Sequence, residues 1–153
     1  MDRQTPIRPV ARASPNAAKA AALTAVEGRK LIFTNGSERH ARNVLDRLGL
    51  AGHFEDIFDI RAADYIPKPN AESYLLLARR HGVEARCAAM VEDLARNLLP
   101  AAEAGMTTVW VRDRGHSLWA AEQNPDLSHI DHITDDLSGW LERVALARRA
   151  PLP

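Results

Sequence analysis

The stretch Leu31-Ile32-Phe33-Thr34-Asn35-Gly36-Ser37 constrains this chain more than any other. Three apolar residues in succession read as a strand buried on both faces, the pattern of a parallel sheet; a strand with one wet face would alternate. The polar tail falls just past the strand's carboxyl end, where open α/β sheets gather their ligands. Gly36 allows a sharp turn and Ser37 can cap a following helix. The Thr34 hydroxyl, the Asn35 amide and the N–H groups of that helix start can then converge on one anion. A plainer reading stands beside this one, since Thr-Asn-Gly after a strand also serves simply to turn the chain.

The same alternation continues along the sequence. An alanine-rich helix is predicted from an Asn16 cap to Val26, ended by Gly28, and the strand above spans Arg29 to Thr34. Ala41, Val44, Leu45 and Leu48 recur at helical spacing over Ser37 to Leu48, and Gly49 closes that helix. Ile57-Phe58-Asp59-Ile60 is a second short apolar segment, followed by the stiff loop Ile66-Pro67-Lys68-Pro69. Asn70 caps a helix running to His81. Cys87 to Val91 reads as a third buried strand, and Cys87 as a buried structural thiol. Leu94 to Ala104 reads as a helix that Pro100 must kink or restart. Thr107 to Val111 is a fourth strand, Arg112 to Asn124 a polar surface loop containing Trp119, and Ile130 to Thr134 a short edge strand. Asp135 or Asp136 caps a last helix that Pro151 stops. Residues 1–15 hold three prolines and show no apolar period, so they read as an irregular arm. Strands alternating with helices imply right-handed βαβ units and a three-layer α/β fold around a parallel sheet. The organisation expected is an arm and helix over 1–28 and a core domain over 29–150.

Composition narrows the partners. Twenty basic and twenty acidic side chains cancel in a chain of 153 residues, so neither a nucleic-acid surface nor a polybasic membrane patch is indicated. No apolar run approaches the ~20 residues of a membrane span, and no signal-type apolar segment stands at the start. A cytoplasmic protein is expected. The single cysteine excludes an internal disulfide and a multi-cysteine zinc site. The six histidines show no metal-ligand spacing on a helix face, and Trp110, Trp119 and Trp140 read most simply as packing residues.

In a parallel sheet all strand carboxyl ends share one edge, so Thr34-Asn35, Lys68 and Glu92-Asp93 can meet although they are far apart in sequence. Thr34, Asn35 and Lys68 offer the hydroxyl, amide and compact cation that suit a phosphate. Glu92 and Asp93 offer the carboxylates that suit a hard cation such as Mg²⁺. Lys68, held between Pro67 and Pro69, loses little freedom on binding. Taken singly, Lys68 also reads as a solvated lysine, Glu92-Asp93 as the acidic first turn of a helix, and Arg96 and Asn97 as capping or solvated residues.

Taken together in this order, the segments resemble the haloacid dehalogenase-like hydrolases. Leu31 to Ser37 resembles their second motif, Lys68 within Ile66-Pro67-Lys68-Pro69 their third, and Met90-Val91-Glu92-Asp93-Leu94-Ala95-Arg96-Asn97 their fourth. Ala104-Gly105-Met106-Thr107-Thr108-Val109 looks like the strand that follows. The wording of residues 29–112 is similar to the pyrimidine 5′-nucleotidase branch. The resemblance implies phosphate-monoester hydrolysis through an aspartyl-phosphate, with a nucleoside monophosphate as substrate. Thr34 and Asn35 would bind the phosphoryl group, Lys68 would be catalytic and neutralise phosphate and nucleophile, and Asp93 with Glu92 would hold Mg²⁺.

The family's first motif, Asp-x-Asp-x-Thr, is not in these residues, and neither is the helical cap. The resemblance therefore implies a core shortened at its start, in which the helix near Asn16 is a remnant. The fold would lack its central first strand, so the strands ending at Thr34 and Val91 must pair, leave a gap or borrow a strand. Exposed edges of this kind imply self-association. Weakened Mg²⁺ binding and little or no phosphatase activity are expected. The alternative is a non-catalytic phosphate-binding or scaffolding module. A receiver-like module would need an acidic cluster on its first strand, and none is present.

Overall fold

A computed structural model of the chain describes residues 14–112 and 125–149. The arm before Ser14, the polar loop containing Trp119 and the stop at Pro151 lie outside the described residues.

Helix α1 (Pro15–Ala25) starts two residues ahead of the position that an Asn16 cap requires. Ser14 is the cap, its hydroxyl accepting the Ala17 N–H at 3.2 Å, and Pro15 takes the first turn, where its missing N–H costs nothing. Strand β1 (Leu31–Phe33) pairs in parallel with β2 (Asp56–Phe58), Leu31 opposite Asp56 and Phe33 opposite Phe58. Between them α2 (Glu38–Leu48) is capped by Ser37 and ends on Gly49 at φ 69°, as its sequence predicts. Asn70 caps α3 (Ala71–His81) by accepting the Glu72 N–H at 2.9 Å.

Strands β3 (Ala89–Glu92), β4 (Thr107–Val111) and β5 (His132–Thr134) form a second parallel sheet in that order. Pro100 restarts the chain instead of kinking one helix: a 3₁₀ turn over Ala95–Leu98 gives way to α4 (Leu99–Glu103), with the proline in its first turn. Helix α5 (Leu137–Arg149) opens on Asp136, whose carboxylate accepts the Gly139 N–H at 3.1 Å. Cys87 departs from expectation. It is exposed, because a 3₁₀ turn over Ala85–Cys87 delays the strand until Ala89.

The core consists of three clusters: Leu45, Leu50 and Ile57; Phe58, Ala63 and Leu77; and Tyr74, Ala101 and Met106. Ala20 and Leu23 of α1 pack on the first, so the helix ahead of Gly28 contributes to the core, and α1 also packs against α5.

Among the described residues the two sheets share no ladder. Of the three arrangements open to β1 and β3, the molecule shows the gap. The expectation of two strands buried on both faces is corrected accordingly. All of β1 is only half-buried, and in β3 Ala89 and Val91 are exposed, Val91 at 39%. Side chains nevertheless cross the seam: Phe33 sets its ring edge-on to Phe58 at 5.5 Å and Tyr74 at 5.1 Å, and Met90 packs on the same two clusters.

Candidate active site at the seam

Lys68 closes the carboxyl end of the gap. Its ammonium donates to the Phe33 carbonyl at 2.9 Å and to Glu92 Oε1 at 2.5 Å, and it lies 4.9 Å from the Phe33 ring centroid. The Lys68 side chain is only 9% exposed and that of Glu92 7%, so the solvated-lysine reading is set aside. One cation thus ties the tip of β1 to the tip of β3.

The loop carrying Lys68 is fixed by Asn35. The Asn35 side chain accepts the Lys68 N–H at 2.8 Å and donates to the Lys68 carbonyl at 3.2 Å, a two-point clamp on the backbone. Thr34 stands half-buried between them, its hydroxyl accepting the Gly36 N–H at 3.0 Å. Space at Gly36 is tight: a Cβ there would lie 3.3 Å from the Thr34 hydroxyl oxygen.

The two acids have diverged in role. Glu92 Oε1 also accepts from Asn97 Nδ2 at 3.0 Å, and Oε2 accepts the Asp93 and Leu94 N–H groups at 2.8 and 3.1 Å. Asp93 is exposed at the rim, and its carbonyl accepts the Trp110 indole N–H at 2.9 Å. Burial alone would push Glu92 up, but its hydrogen bond with Asp93 and the Lys68 ammonium hold it below the usual carboxylate range. Asp93 moves the other way, raised first by that hydrogen bond, then by desolvation and by the charge of Glu92.

Among the described residues no group of three or more His, Cys, Asp or Glu side chains is arranged around a metal position. The donor set still suits Mg²⁺ in part. Such an ion commonly takes one or two carboxylates and completes its shell with water and phosphate oxygens. Asp93, exposed beside the cluster, fits as the protein ligand. Glu92 has both oxygens engaged and fits as the group that holds Lys68.

Three residues have roles at the site that the sequence reading did not give them. Asp59, 6% exposed, accepts the Glu38, Arg61 and Ala62 N–H groups at 3.0, 3.1 and 2.9 Å, pinning the start of α2 to the loop that leads to Lys68. Asn97, buried, braces Glu92, and its own carbonyl accepts from the Tyr74 hydroxyl. Trp110 does more than pack. The acid directly after the β2 apolar run was the available signal for Asp59, and the place of Asn97 at the end of the fourth-motif segment was the signal for it; nothing local marked Trp110.

A parallel Rossmann-like α/β fold with hydroxyl, ammonium and paired acids at its strand ends defines the class. A family model for haloacid dehalogenase-like hydrolases matches residues 3–105, and the chain belongs to that family. Solved structures agree in fold. L-2-haloacid dehalogenase from Xanthobacter autotrophicus superposes with a TM-score of 0.69 at 18% identity, covering 90% of this chain and 61% of that one. A phosphatase of the family from Thermococcus onnurineus gives 0.63 at 23% identity, covering 86% and 57%. 2-Haloacid dehalogenase from Pseudomonas syringae pv. tomato gives 0.59 at 29% identity, covering 89% and 54%. The chain therefore spans little more than half the length of these structures. No curated protein matches it. No described helix is long and apolar enough to cross a membrane.

Proposed function

We propose that this site receives a phosphate monoester at the carboxyl ends of β1 and β3. The Thr34 hydroxyl would hold a phosphoryl oxygen and Lys68 would offset the charge, with Asn35 acting as the residue that positions Lys68. Asp93 would hold Mg²⁺, which when bound polarises a phosphoryl oxygen. The nucleotidase-like wording favours a nucleoside monophosphate. The observation that carries the reading is the buried Lys68 ammonium, fixed between the Phe33 carbonyl and Glu92.

The likeness to dehalogenases supports a second substrate class, the haloacids. The exposed acid at Asp93 favours phosphate, because a dianion of that charge density is what a divalent cation serves. Since Asp-x-Asp-x-Thr is absent from the 153 residues, they are read as a binding half-site without turnover. Thermal unfolding with Mg²⁺ plus inorganic phosphate, against 2-chloropropionate, tests this. Ligand at a hundredfold its Kd adds ~2.7 kcal/mol, a rise of roughly 5–10 °C for a domain of this size. The rise should require both Mg²⁺ and phosphate and disappear in Asp93→Asn. A rise with 2-chloropropionate alone overturns the phosphate reading. Mg²⁺-dependent phosphate release from a nucleoside monophosphate, lost in Asp93→Asn, overturns the claim of no turnover.

A further inference from the structure

The main chain on both sides of Asp93 is held. Glu92 Oε2 accepts the Asp93 N–H at 2.8 Å and the Leu94 N–H at 3.1 Å, and the Trp110 indole N–H donates to the Asp93 carbonyl at 2.9 Å. The Asp93 carbonyl and the Leu94 N–H are opposite ends of one planar peptide, so that plane is gripped from β4 at one end and by Glu92 at the other. The plane ahead of Asp93 is held through its own N–H. With both planes set, φ and ψ of Asp93 are set, and so is the direction of its Cα–Cβ bond. Only the side-chain torsions of this exposed acid remain free. The grip from β4 comes from a side chain. Strands β3 and β4 pair up to Glu92 opposite Trp110, where β3 ends. The Asp93 carbonyl lies one residue beyond that ladder, and the half-buried Trp110 ring supplies the donor that a further backbone N–H would have given. Packing alone needs an apolar ring, which Phe would provide; the bond to Asp93 needs the indole N–H.

We propose that Trp110 is a positioning residue for Asp93: through the bond from its indole N–H to the Asp93 carbonyl it keeps the carboxylate in the orientation that takes Mg²⁺. A ligand set in advance loses less freedom on binding, so affinity rises with no new contact to the ion. The Asp93 carbonyl belongs to an exposed rim residue, and water can serve it once the indole is gone. The bond therefore contributes little to the stability of the fold and mainly to the direction of the carboxylate. A packing role would have the opposite signature, a loss of stability with cation affinity intact. The inference rests on the reading of Asp93 as the Mg²⁺ ligand and adds to it a residue that touches neither ion nor phosphate.

Mg²⁺ titration of the full 153-residue chain in saturating inorganic phosphate, followed by the unfolding midpoint, tests this in the unaltered chain, in Trp110→Phe and in Trp140→Phe. Trp140, on α5 against the His132 ring, is the control. Trp110→Phe should raise the Mg²⁺ concentration needed for half the effect about fivefold, the scale of one hydrogen bond. The phosphate concentration needed in saturating Mg²⁺ should not move, and Trp140→Phe should match the unaltered chain in both. The chain has three tryptophans, so Trp119→Phe with Trp140→Phe leaves Trp110 as its single indole. Emission of that chain should change on adding Mg²⁺ with phosphate and stay constant with phosphate alone. An unchanged Mg²⁺ requirement in Trp110→Phe overturns the proposal. An equal loss for phosphate also overturns it, because it marks a general disturbance of the site. Should Trp110→Phe fail to fold, the single-indole chain decides, and emission indifferent to Mg²⁺ overturns the proposal. An unaltered chain that does not respond to Mg²⁺ and phosphate together overturns the reading of Asp93 and this proposal with it, whereas a response that Trp110→Phe leaves intact overturns this proposal alone.

Discussion

Removing Glu92 should cost more than removing the lysine it holds. In Glu92→Ala, the Lys68 ammonium loses its 2.5 Å partner while remaining 9% exposed, and the buried Asn97 amide loses its acceptor. The Asp93 and Leu94 N–H groups also lose theirs, but next to an exposed rim where water can replace it. Stranding one member of a buried pair costs ~3–5 kcal/mol, so about 4 kcal/mol is expected. That is a large share of the ~5–15 kcal/mol that holds a typical domain together, and lowers the midpoint by roughly 8–16 °C. In Lys68→Met the anion left behind still accepts three N–H groups, so about 2 kcal/mol is expected, with a shortfall from additivity of ~1–3 kcal/mol in the double variant. Urea unfolding of the two single variants and the double, at constant m-value and pH 7, gives all three numbers. Strictly additive losses, or a Glu92→Ala loss below about 1 kcal/mol, would refute the claim that the ammonium and carboxylate hold the seam as a unit.

Three other outcomes follow from the same geometry. Asp59 is held below the ordinary carboxylate range, first by the Ala62 N–H and then by those of Glu38 and Arg61, against the opposing effect of burial. A depressed acid contributes stability above its unfolded value of about 3.9 and loses it as pH falls through the folded value. Asp59→Asn should therefore lower stability at pH 7 by about 2 kcal/mol and flatten the loss on acidification below pH ~4, measured by urea unfolding across pH. Asn35→Ala removes both clamps on the Lys68 backbone and should cost about 1 kcal/mol, together with a severalfold loss of phosphate affinity in the thermal-shift titration. Ser14→Ala should cost about 1 kcal/mol while Asn16→Ala costs little, which a pair of melting curves would show.

What could be read in the sequence is what depends on neighbours along the chain. Ser37, Asn70 and Gly49 act locally, and each does what its type and position predict. Lys68 and Glu92 meet because parallel strands share one edge, a rule of topology that needs no coordinates. The particular partners were not legible. Asn35 offers the same amide to a phosphate or to the Lys68 backbone, and only the packed loop decides between them. Glu92 reads as a metal ligand until its four N–H donors are counted. The half-open state of Leu31–Phe33 and Ala89–Glu92 depends on what lies across the seam, which no local pattern reports. Ser14 and Asn16 are both good caps; Pro15 between them selects Ser14, since proline favours the first helical position.

Helix α3 lies over both halves of the divided sheet: its Leu77 rests with Phe58 of the first half, and its Tyr74 with Ala101 and Met106 beside the second. Each half keeps its own ladder, so α3, Lys68 at the tip and the packing of α1 on α5 together form the clasp between the two pieces. Dismantling then has a natural order. Once the clasp lifts, the molecule parts along a fault line down its middle before either piece begins to fray.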